Sequence, residues 1–124
     1  CHRLYERAVP LLAAGKLRLR VVMVGFLKPT SFGRAAAILM AADPAAALAA
    51  DERDFDVTHE EGGIAPATAI PPAIHAAVAA DTALLARTGE EATPTLLWRD
   101  RAGQWRLMHH GPPQGLAAMV AKLG

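Results

Sequence analysis

One α/β domain is the fold class this sequence predicts, and three observations carry the prediction. Helical periodicity with one apolar side runs through residues 1–15 and reappears close to the C-terminus. Residues 17–26 begin in strict alternation and then turn apolar on both faces, as a strand does on entering a covered sheet. Near the end, two short β-rich runs flank a stretch of turn-forming residues.

Taken in order, the first helix starts at Cys1. Leu4, Ala8, Leu11 and Leu12 fall on its apolar side, and Arg3, Glu6 and Arg7 on the other. Pro10 removes a backbone donor and predicts a kink, while Gly15 suits the left-handed end of a helix. The strand over 17–26 comes next, with Arg18 and Arg20 read as its solvated end rather than an anion site. Lys28-Pro29-Thr30-Ser31 interrupts it, and Thr30 or Ser31 is placed to cap a helix from Phe32 to Ala42 carrying Ala35, Ile38, Leu39 and Met40. Asp43-Pro44 pairs a capping aspartate with a first-turn proline and predicts a short alanine-rich helix to about Asp51.

Residues 52–71 are polar and rich in turn formers, so they read as an irregular connection. Pro71-Pro72 opens a further helix that ends at Gly89, with Ile74, Val78, Leu84 and Leu85 as its buried positions. Thr95–Arg99 and Trp105–His109 form an antiparallel hairpin around Asp100-Arg101-Ala102-Gly103-Gln104. Gly111-Pro112-Pro113 breaks it, and a closing helix from Gln114 to Leu123 sets Leu116, Met119, Val120 and Leu123 on one face. Neither a repeat nor a linker divides the 124 residues.

Composition excludes several classes of function. At 52% hydrophobic and 20% charged, the chain is globular rather than disordered. A net charge of +1 supplies no long-range pull toward nucleic acid or an anionic membrane. No apolar run approaches the roughly 18 residues that a membrane span requires. Cys1 is the single cysteine, so an internal disulfide is ruled out and composition leaves the compartment open.

Cys1 is also the one candidate for thiol chemistry. A helix start favours the thiolate, although a free cysteine packs equally well as a small hydrophobe. His2 beside it would influence a neighbouring thiolate when protonated, against the plainer role of a solvent-facing helix residue. His109 and His110 should project to opposite sides of a strand, and His59 and His75 lack a ligand partner at recognisable spacing, so no metal is expected. Glu60-Glu61 and Glu90-Glu91 read as solvated loop carboxylates. Trp98 and Trp105 read as core residues.

The order of elements resembles the thioredoxin fold without its first, central strand and with a helical insertion at about 31–89. Cys1 and its helix, Val24-Gly25, Lys28-Pro29 with Ser31, Ala35 to Leu39, Asp43-Pro44-Ala45 and Thr93-Pro94 together resemble the catalytic domain of DsbG-type members of the DsbC/DsbG family. The resemblance implies a single thioredoxin-like domain over 1–124. It implies that Cys1 is the second, resolving thiol of a Cys-Xaa-Xaa-Cys motif whose attacking cysteine, leading strand and dimerisation domain lie before residue 1. Thr93-Pro94 would be the cis-proline turn that faces the sulfurs and pairs with an extended substrate.

The same resemblance implies a periplasmic thiol–disulfide oxidoreductase or isomerase without cofactor, acting on cysteine-containing periplasmic proteins. A membrane thiol reductase of the DsbD type would keep it reduced, and its parent would be a homodimer. The 124-residue chain alone should be inactive. Two other readings stay open: a non-enzymatic thioredoxin-like peptide-binding module, and a single-cysteine thiol enzyme. Both strands, 17–26 and 95–99, should border the missing strand rather than each other.

Overall fold

The chain is described by a computed structural model over residues 1–112 and 114–123. Five helices and one two-stranded sheet occur among these residues, in the order α1 (His2–Ala13), α2 (Ser31–Met40), α3 (Pro44–Arg53), α4 (Pro72–Ala86), β1 (Thr95–Arg99), β2 (Trp105–His109) and α5 (Leu116–Val120). They divide between two compact units, residues 21–89 and residues 1–20 with 90–124.

The unit of residues 21–89 is helical. Ala35 and Ala36 of α2 meet Val78 of α4 with at most 1% of their surfaces exposed, and Met23, Phe32, Leu39 and Ile74 pack around them. Alanines at this contact let two helices approach closely. Leu85, two turns beyond Val78, shares its face and is buried. Leu84 is turned about 100° from Leu85 and stands half exposed, which corrects its expected burial.

Asp43 caps α3 as predicted, its Oδ1 accepting from Ala46 N at 3.0 Å, with Pro44 in the first turn. Thr30 and Ser31 do not cap α2 through their side chains. Ser31 Oγ accepts from Lys28 N at 2.9 Å, and Thr30 Oγ1 accepts from Arg34 at 2.7 Å.

Residues 52–71 are irregular, yet tied down. Asp51, buried at the end of α3, accepts from Ile64 N at 3.0 Å through its carboxylate and from Gly63 N at 2.9 Å through its backbone oxygen. A Cβ at Gly62 would lie 2.2 Å from both Asp51 carboxylate oxygens, so any side chain there would have to displace that carboxylate. Arg34 closes the other side by donating to Ile64 O (3.0 Å) and Glu61 (3.3 Å).

Residues 17–26 form no strand, contrary to expectation; the sheet among the described residues contains β1 and β2 alone. Alternation becomes a strand only where a neighbour supplies ladder bonds. Here Gly25 N–H donates instead to Thr82 Oγ1 at 3.0 Å, and Val21 and Val22 stay exposed.

In the unit of residues 1–20 and 90–124, α1 runs on through Pro10, whose ring removes only the bond it would have donated to Glu6. The helix ends in a Schellman arrangement: Gly15 at φ +68° donates to Leu12 O and Lys16 donates to Leu11 O. The hairpin has the predicted limits, pairing Thr95 with His109 through to Arg99 with Trp105. Asp100 Oδ1 accepts from Ala102 N and Gln104 N inside the turn, and Gly103 takes φ +78°.

The closing helix is shorter than predicted. Lys122 and Leu123 donate to residues only three back, Met119 and Val120, so the last turn tightens, and Leu123 bridges to Asp100. Pro113, part of the predicted break, lies outside the described residues.

Candidate active site

Cys1 occupies the N-cap position of α1, where its carbonyl accepts from Tyr5 N at 2.9 Å and its side chain remains exposed. Helix α1 packs against α5, and Ala8 and Leu116 are buried. Beside this contact lies a cavity of about 200 Å³ lined by Cys1, Arg3, Arg7, Pro94 and His110, among others. The Thr93–Pro94 peptide bond is cis. Gly111 (φ +80°) comes after the hairpin at close range, since a Cβ there would stand 3.5 Å from Pro94 Cγ.

Of the residues singled out in the sequence, the structure brings Cys1 and Pro94 to one cavity. Thr93 and His2 do not line it. His2 Nε2 stands 3.4 Å from Glu6 Oε1, one helical turn along α1. Sequence reasoning missed Arg7, Arg3 and His110 as cavity residues. The arginines' spacing of four residues was legible, because such residues share a helix face. His110 was not, because its place depends on leaving the strand: it takes φ +65°, and its Nε2 lies 2.6 Å from Glu90 Oε1.

The strand beneath is anchored by Thr95. Its hydroxyl donates to Ala92 O at 2.7 Å, and its oxygen lies 2.8 Å from His109 Nδ1. A hydroxyl has one proton to give. His109 Nδ1 therefore carries the hydrogen in that contact and donates it to Thr95.

No protein-family profile matches the chain. Among curated proteins, the thiol:disulfide interchange protein DsbG of Pseudomonas aeruginosa is 31% identical over 121 residues, which covers 97% of this chain and 46% of that protein. The DsbG of Escherichia coli is 44% identical over 45 residues, 36% of this chain and 18% of that protein. The chain is DsbG-like. It spans about half the length of the first relative. Its helices and small antiparallel sheet are compatible with a thioredoxin-like α/β fold.

Elsewhere in this DsbG-like chain, several polar groups stand differently from expectation. His109 and His110 do not project to opposite sides of a strand; β2 ends at His109, and the rings sit 6.5 Å apart edge to face. Among the described residues no three His, Cys, Asp or Glu side chains come together as a metal site. Trp105 is exposed rather than in the core, with the Arg99 guanidinium 5.4 Å from its ring centre. Trp98 is half-buried beside a groove against α5. Glu61 and Glu90, expected to be solvated, engage Arg34 and His110.

Asp100 holds its carboxyl below the usual range, first because Arg106 Nε donates to it at 2.8 Å and then through the backbone N–H of Gln104. Asp56 is lowered likewise, chiefly by His59 at 2.6 Å. No described helix is long and apolar enough to cross a membrane.

Proposed function

We propose that this chain is the resolving half of a periplasmic thiol–disulfide oxidoreductase or isomerase. In the parent protein, a cysteine three residues before Cys1 attacks a substrate disulfide and holds one substrate sulfur in a mixed disulfide. The Cys1 thiolate then attacks that upstream sulfur. An intramolecular disulfide forms, and the substrate sulfur leaves as a thiolate that takes up a proton. Two electrons from a membrane thiol reductase of the DsbD type would restore both thiols. Cysteine-containing periplasmic proteins are the substrates in this reading, and the parent dimerises through an N-terminal domain.

The observation that carries the reading is the meeting of Cys1 and Pro94 in one cavity, on a chain 31% identical to a DsbG. An exposed thiol next to a turn that starts a strand gives an extended substrate both a reactive atom and a place to lie. Thr93 contributes backbone pairing groups, and His2, when protonated, acts on the neighbouring sulfur. A central strand from the parent, set beside β1, completes the thioredoxin-like domain, with residues of about 31–89 as its insertion.

Insulin reduction tests this. With dithiothreitol present, the 124-residue chain should give turnover no faster than the reductant alone, and the parent protein should exceed it clearly. Robust turnover by the chain would mean that Cys1 works alone, as in a single-cysteine thiol enzyme. If Cys1→Ser in the parent leaves its whole action on client proteins intact, the site is a peptide-holding module instead.

A further inference from the structure

The cavity beside Cys1 has an uneven charge. Arg3 and Arg7 stand one turn apart on the same face of α1, and both line it. His110 lines it as well, but its imidazole is held by the Glu90 carboxylate at 2.6 Å, which offsets any charge the ring carries. Among the described residues lining the cavity there is no aspartate or glutamate. Glu6, the acidic residue of α1, is engaged with His2 instead. Among the described residues neither Arg3 nor Arg7 has a carboxylate partner. Two like charges four residues apart repel each other on a helix, so a shared anion would relieve both. A guanidinium presents paired N–H donors that match the two oxygens of a carboxylate.

We infer that Arg3 and Arg7 select disulfide partners bearing a carboxylate close to the reacting sulfur, such as an acidic side chain next to a substrate cysteine. This deepens the interchange reading and rests on it. The arginines are specificity residues in this account, with the sulfur chemistry left to Cys1. In the parent the upstream cysteine makes the first attack. In the 124-residue chain, whose single cysteine is Cys1, the Cys1 thiolate itself attacks such a disulfide, a bond forms between the two sulfurs, and the other half of the partner departs as a thiolate. The carboxylate stays on the retained half, within reach of the guanidiniums.

The test uses the 124-residue chain and two peptide disulfides that differ only at the residue beside cysteine, glutamate in one and glutamine in the other. Both carry the same neutral thiopyridyl leaving group, whose release is followed by absorbance. The glutamate peptide should react about threefold to tenfold faster, the range that one or two solvent-exposed ion pairs supply. The preference should shrink as salt is added. In the Arg3→Gln, Arg7→Gln variant the ratio should fall to near one. In Arg3→Lys, Arg7→Lys it should survive in part, since the charge remains while the paired donors are lost.

Removing cations near a thiol slows its reaction with any disulfide, so absolute rates fall for both peptides and the ratio isolates recognition. Circular dichroism checks that the variants fold. Oxidised glutathione, with two carboxylates on each half, should likewise react faster than its tetraester, in which all four are masked. A ratio near one in the natural sequence, or one unchanged in the glutamine variant, would overturn the inference. Activated disulfides react with any exposed thiol, so the result does not depend on whether the parent catalyses interchange. That reading is judged by the insulin assay alone.

Discussion

In the unit of residues 21–89, Ala35, Ala36 and Val78 are at most 1% exposed, and a buried aspartate ties down the long connection. In the unit that carries Cys1 and Pro94, the hairpin turns Leu97, Trp105 and Leu107 outward with 61%, 64% and 43% of their surfaces exposed. Helices complete their backbone bonds internally and need only one covered face. A sheet of two strands is marginal by itself and gains stability from further strands and from layers on its faces. The helical unit therefore has the contacts to hold itself together, whereas the thiol is borne by a unit with apolar strand surface still uncovered. The further strand proposed beside β1 would pair with its open edge and widen the sheet, leaving this face to be covered by another layer.

Placing the same charge in both units should separate them most strongly. Val78→Asp buries an unpaired carboxylate and should remove more than about 4 kcal/mol, abolishing the helical signal of residues 21–89. Leu97→Asp, at a position already in water, should change stability by only about 0.5 kcal/mol. Urea titrations followed by circular dichroism and by tryptophan emission would measure the two. Equal losses would mean that the hairpin is as tightly packed as the helices.

Asp51→Ala comes next. It leaves Ile64 N–H without its acceptor and should lose about 1–3 kcal/mol. Amide exchange should speed up at Ile64 and not at Ala46, whose acceptor is Asp43. An unchanged Ile64 rate would show that Asp51 is not what orders the connection.

Acid gives the smallest and most selective effect. Asp100 has a lowered pKa in the folded hairpin, with Arg106 as the leading cause. For a depressed carboxylate, the stabilisation is fully present above the unfolded value of about 4 and is lost as pH falls through the lower folded value. Trp98 and Trp105 both lie in the hairpin and are the only tryptophans, so their emission reports on this unit. The hairpin should loosen below about pH 4. Asp100→Asn should remove that component of the acid response. Identical acid profiles for the variant and the natural sequence would contradict this role for Asp100.

How much could be read from the sequence depended on how local each feature is. The hairpin limits, the Asp43 cap and the left-handed Gly15 were legible because turn and cap chemistry is decided by adjacent residues. Residues 17–26 have strand composition but no ladder partner among the described residues, so pattern and structure part there. Leu84 was misread because an alanine-rich helix has several faces that look alike, and only packing chooses between them. Within the candidate site, Cys1 and Pro94 were legible from chemistry and resemblance. His110 reaches the cavity through a positive φ and a glutamate twenty residues away in sequence, which no local pattern announces.

The proposed chemistry stands or falls on Cys1 releasing the substrate from a mixed disulfide formed by an upstream cysteine. Expressing the parent protein with Cys1→Ser and resolving its covalent complexes on non-reducing gels would measure that step. Reductant-sensitive complexes with other proteins should accumulate, and they should vanish when the upstream cysteine is also replaced. A Cys1→Ser parent that accumulates no such complexes and still turns over disulfides at its normal rate would contradict the account.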